Sequence, residues 1–186
     1  MNGLQVYRRL GALAAIFAIS VVVATIAHAQ GKPSYGQQIA VLKLLQPDLK
    51  VIGVMSSNLS DKESQDITRA GLGQGEQIVV GIPQDPRDIS QVYKKMVSEK
   101  KIQILWVPKS NDDLMMGVGF EYLRTNTLLD KVGLCIPDPS LLASGALCSV
   151  QIEGGKLTVY VNQKIASVLG AHVPTEESSS VTYVSR

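Results

Sequence analysis

Four short segments gather hydrogen-bonding side chains beside prolines or serines: Ser56-Ser57-Asn58, Pro83-Gln84-Asp85, Pro108-Lys109-Ser110-Asn111 and Pro137-Asp138-Pro139-Ser140. Each follows an apolar run and offers hydroxyl, amide or carboxylate groups, which is the equipment for holding a small polar molecule by hydrogen bonds. Ser56, Ser57, Asn58, Gln84, Ser110, Asn111, Asp138 and Ser140 are the candidate ligand contacts. The same residue types are favoured in turns and at helix N-termini, so any one of them also reads as a cap.

Covalent chemistry has less to work with. His28 falls in the N-terminal leader described below, which leaves His172 in a polar stretch after the last helix, the place of a surface histidine. The acids of Asp112-Asp113 open a helix, where negative charge suits the dipole. Cys135 and Cys148 are the only cysteines, and no histidine or cysteine cluster has metal-ligand spacing. The reading is of a non-enzyme with no metal and no cofactor. The glycine run Gly71-Leu72-Gly73-Gln74-Gly75 ends a helix and leads into a strand, the reverse of a phosphate loop, and reads as a C-terminal helix turn.

Alternating strands and helices position these segments. Tyr35–Leu45 carries Ile39, Leu42 and Leu45 at helical spacing and stops before Pro47. Residues 49–55 form an apolar run suited to a strand buried on both faces. Asp61–Leu72 is a helix opened by a Ser60/Glu63 capping box. Strands follow at 77–82, 102–107, 131–136 and 146–152, with helices at 86–101 and 112–129 and a short helical turn at 140–143. Lys156–Val161 is a sixth strand, joined to the fifth by the hairpin turn Glu153-Gly154-Gly155. Gln163–Leu169 is a last helix between Asn162 and Gly170, and residues 175–186 are a Ser-rich, loose tail with a β-prone patch at 181–184. The expected architecture is α/β, a mostly parallel sheet with helices on both faces, a single lobe ending in a hairpin and helix. In such sheets ligands sit beyond the carboxyl ends of the strands, where the four polar segments fall.

The N-terminus has the form of a secretory signal peptide. Arg8 and Arg9 precede a long apolar run, and Ala27-His28-Ala29 fits cleavage before Gln30. The expected divisions are residues 1–29 as leader, 30–174 as domain and 175–186 as tail, with the mature protein in the periplasm. Losing the two arginines takes Lys plus Arg from 18 to 16, against 16 Asp plus Glu. An uncharged balance without a basic stripe argues against nucleic-acid binding. In an oxidising compartment Cys135 and Cys148, on the fourth and fifth strands, are either bonded or buried as two small apolar groups.

Several stretches resemble the substrate-binding proteins of ABC transporters whose ligands include aromatic amino acids. Residues 33–47 followed by Val51-Ile52-Gly53-Val54 look like the entry to that family's C-terminal half, and Ile104-Leu105-Trp106-Val107-Pro108, residues 144–150 and residues 161–170 also match. The resemblance covers most of residues 33–174 and implies one periplasmic-binding-protein-like lobe, a small polar solute, and a transporter or sensor role. That family has two lobes closing on a ligand, so a homodimer is the expected way for this lobe to find its pair. Ser110 stands where the family commonly carries an acid beside the cleft, so the resemblance supports the fold more than the ligand. A second resemblance, over residues 145–170, is to periplasmic regulators of the YfiR type, and implies a membrane-protein partner and no small-molecule site.

Overall fold

The structure is a computed structural model that describes residues 31–174 and 181–185. The leader and its cleavage site lie outside them.

Seven strands form one sheet: β1 Val51–Met55, β2 Gln77–Gly81, β3 Ile104–Trp106, β4 Gly133–Cys135, β5 Cys148–Glu153, β6 Lys156–Val161 and β7 Val181–Ser185, in the order β2-β1-β3-β4-β5-β6-β7. The first five run parallel, β6 is antiparallel to β5, and β7 is parallel to β6. The helices are α1 Tyr35–Leu45, α2 Asp61–Leu72, α3 Ile89–Ser98, α4 Gly117–Leu129 and α5 Gln163–Leu169. On one face Ile39, Leu42 and Leu45 of α1, Ile67 of α2 and Ala166 of α5 pack on Ile52, Val54, Ile104, Trp106 and Val159. On the other, Ile89, Tyr93 and Met96 of α3 and Phe120 and Leu123 of α4 pack on Met55, Leu105, Leu134 and Tyr160. Alternate residues of β3 serve opposite cores, which is why its sequence is apolar throughout.

Local chemistry sets the element ends. Ser34 with Gln37 and Ser60 with Glu63 form complete capping boxes at α1 and α2. Asn162 accepts from the Ile165 N–H at the start of α5, and Gly170 closes it in the left-handed conformation with φ 68°. The β5–β6 hairpin turns on Gly154 and Gly155, both at positive φ, as a two-residue turn requires. An ion pair ties α1 to the start of β2. Lys43 Nζ binds Glu76 Oε1 and, at 3.0 Å, the Gln74 carbonyl, while the Glu76 side chain is 1% exposed.

Apart from strand ends moved by one or two residues, three stretches differ from the sequence expectation. The helix expected over 86–101 opens as a 3₁₀ turn, Pro86–Asp88, and ends at Ser98. The helix expected over 112–129 is split: a 3₁₀ turn spans Asp113–Met115, Met116 is extended, and α4 begins at Gly117 with φ 56°. The tail expected to be loose contributes β7, because β6 would otherwise present an open edge to pair with.

A candidate ligand site at the strand ends

The helices run back along the sheet, so the loops after β1, β2 and β3 and the start of α1 meet at the carboxyl edge. Asp112 joins two of these loops. Its carboxylate is 1% exposed, accepts from the Ser57 N–H at 3.0 Å and the Ser57 hydroxyl at 2.8 Å, and caps the following 3₁₀ turn by accepting from the Leu114 N–H at 3.0 Å. An ionised acceptor with three donors makes stronger bonds than neutral partners would. The sequence reading of a helix-opening acid is right about the cap and misses the tie to Ser57, which spans 55 residues of chain.

A second tie runs alongside. Lys109 Nζ donates to the Asn58 carbonyl at 2.7 Å and to Glu63 Oε2 at 2.9 Å, and Asn58 Nδ2 donates to the Asn111 carbonyl at 3.2 Å. The Ser60 hydroxyl, Lys109 and the Ser60 N–H together hold the Glu63 carboxyl down to about 2, from an ordinary value of 4.5. A depressed carboxylate stabilises the fold above its unfolded pKa, and that contribution is lost as pH falls from about 4.5 to about 2. Glu63 is one-third exposed, so Glu63→Gln is expected to cost only about 0.5 kcal/mol at pH 7 and almost nothing at pH 2, where the carboxylate's contribution is already lost. Urea unfolding at the two pH values measures this, and an equal loss at both would refute it.

Two hollows open at this edge. The smaller, a cavity of about 50 Å³, lies between the ends of β1 and β2 and the turn before α4. Ile89, Leu114 and prolines 83 and 86 make its apolar walls, and Ser57, Gln84, Asp85 and Asp113 its polar ones. Asp85 is engaged by Arg87, whose side chain and N–H hold its carboxyl below the usual range. The wider depression, of about 500 Å³, lies over the start of α1 and is lined by Tyr35, Gln38, Glu63, Lys109 and Asn111 among others. Burial, with the charges of Glu63 and Asp66 nearby, pushes the Tyr35 hydroxyl up, so it stays a neutral donor.

The candidates named from sequence therefore separate. Ser57 and Gln84 line the smaller hollow and Asn111 the wider one. Ser56 is fully buried, its hydroxyl donating to Asn58 Oδ1 at 3.2 Å, and Asn58 serves the loop tie. Ser110 is exposed and lines neither hollow. Asp138 and Ser140 sit at the end of β4, where Asp138 accepts from the Ser140 N–H at 2.8 Å as the cap of a 3₁₀ turn. Asp85, Asp113, Leu114 and Ile89 were not among the candidates. Asp85 belongs to a named segment, whereas Asp113, Leu114 and Ile89 lie two to four residues beyond one, and only loop curvature brings them inward. His172 is remote from the hollows: it follows α5, is exposed, and donates its N–H to the Leu45 carbonyl at 2.7 Å. Among the described residues no group of three or more His, Cys, Asp or Glu side chains is placed to hold a metal ion, and no helix is long and apolar enough to cross a membrane.

No known family's sequence profile matches the chain, and no curated protein does. Solved structures do. An "ABC domain in complex with L-Trp" from Streptococcus pneumoniae superposes with a TM-score of 0.65 at 20% identity, over 76% of this chain and 57% of that one. The ligand-free, open form of CD0873, a substrate-binding protein with adhesive properties from Clostridium difficile, gives 0.64 at 18%, over 82% and 60%. A conserved domain protein from Vibrio cholerae gives 0.64 at 14%, over the same shares. The chain thus spans less than two thirds of the length of these structures, and identities this low speak for the fold alone. That fold is the α/β, mostly parallel sheet of a single periplasmic-binding-protein-like lobe.

Proposed function

We propose that the chain is an exported solute-binding domain that takes a small polar molecule in the hollow between Ser57, Gln84, Asp85 and Asp113. The observation that carries this reading is the hollow itself, with apolar walls and converging polar groups at the carboxyl edge of the parallel strands. Ser57 gives both its donors to Asp112, and Asp85 and Asp113 are acceptors, so the site favours a solute rich in N–H or O–H groups. L-Trp in the Streptococcus pneumoniae structure is a small ligand of that kind. The sequence leader supports delivery to the periplasm, with the solute passed to an ABC transporter or read by a sensor.

Beside the hollow, Met116 and Val118 are 68% and 86% exposed, on either side of Gly117. This apolar shelf suits a second body closing over the solute, and a second copy of the chain is the partner in this reading.

Calorimetric titration with amino acids, sugars and hydroxy acids tests the proposal. Saturable binding by at least one solute is expected, weakened about tenfold by Gln84→Ala, the worth of one hydrogen bond, and unchanged by Ser110→Ala. Light scattering at saturation is expected to show a dimer, and a persistent monomer would remove the second copy. If no solute binds while the chain is retained by a membrane protein, the solute reading falls and the YfiR-type regulatory module takes its place.

A further inference from the structure

The seam between β4 and β5 is the narrowest in the sheet: its register holds one residue pair, Cys135 opposite Cys148. Every other pair of neighbouring strands shares three or more. Directly opposed residues on adjacent strands lie about 4.8 Å apart, inside the Cα separation that a disulfide spans. Both side chains turn to the same face and the same core cluster, at 1% and 0% exposure. In this structure both are free thiols.

We propose that Cys135 and Cys148 are joined by a disulfide that staples the β1–β4 half of the sheet to the β5–β7 half. The Cys135 and Cys148 thiols give up two protons and two electrons to a disulfide oxidant, whose own S–S bond breaks to two thiols as the protein's forms. The bond closes the loop over residues 136–147, which carries Asp138 and the buried Leu142. Cys148 sits in the core, where the neighbouring Cys135 thiol and burial push its own thiol well up, so it offers little thiolate once the sheet has closed. Oxidation therefore belongs to folding, before the seam is sealed, and the finished bond resists exchange.

The test is refolding of the purified full chain in a glutathione redox buffer, then alkylation of the denatured, unreduced product and mass analysis. Expected are a monomer lighter by two hydrogens, no alkylated cysteine, and one peptide pair joining Cys135 to Cys148. Closing a loop of this length is expected to raise the melting temperature by about 6 °C or more over the reduced chain. Two alkylated thiols, glutathione adducts, or bonds between chains would each overturn it. This outcome is independent of whether any solute binds.

Discussion

Asp112→Ala is expected to weaken solute binding and the fold together. It leaves the N–H groups of Ser57 and Leu114 without their acceptor in a site where the carboxylate was 1% exposed. Lost bonds to a buried charged acceptor cost about 1.5–3 kcal/mol each, and the released loops recover part of that through water. A net destabilisation of about 3 kcal/mol follows, or roughly 10 °C in melting temperature. Affinity should fall more than tenfold, although Asp112 itself does not line the hollow. Asp112→Asn keeps one oxygen acceptor and should recover about half of the stability. Thermal unfolding and calorimetry of the two variants decide the matter. If Asp112→Ala melts with the wild type, the tie to Ser57 is an incidental contact.

Lys43→Met is expected to be nearly as damaging, although Lys43 is 44% exposed on its side chain. The cost arises at the other end, because Glu76 is left buried with no cation, and its Oε2 already lacks a hydrogen-bond partner among the described residues. Breaking a buried pair from one side costs about 3–5 kcal/mol, and the exposed lysine end moves the expectation to the lower bound. The double replacement Lys43→Met/Glu76→Leu removes the stranded charge and should be close to wild type in stability. Chemical denaturation of the two singles and the double completes the cycle. A double variant as unstable as Lys43→Met would show that the lysine acts through its packing and not through the pair.

Much of the fold was legible because its signals are local. The Ser60/Glu63 box, the two hairpin glycines and the Asn162 and Gly170 caps give α2, β6 and α5 at their observed bounds. The central strands come out shorter than their apolar runs, since residues 102–107 contribute only Ile104–Trp106 to the ladder. Hydrophobic runs report burial, and a strand ends where its neighbour's backbone no longer faces it. The break at Met116 and Gly117 was hidden because apolar residues on both sides suit one helix. β7 was hidden because its partner edge is supplied by distant chain. At the site, the alternation of strands and helices put all four polar segments at the carboxyl ends of the strands, but only those after β1, β2 and β3 line the hollows. It could not tell that Ser56 would face the core, that Asp138 would be absorbed by its own cap, or that Asp113 would turn inward. Those depend on loop curvature and on ties across more than fifty residues, for which periodicity has no signal.

Trp106 is the chain's only tryptophan, and it lies fully buried with its ring 5.9 Å from that of Tyr35 in an edge-on arrangement. Tyr35 in turn lines the wider depression beside Lys109 and Glu63. Indole emission responds in colour and intensity to the polarity and motion of its immediate surroundings. A single fluorophore, one ring removed from the strand-end loops, therefore makes the protein its own optical reporter, with no dye and no second tryptophan to blur the signal.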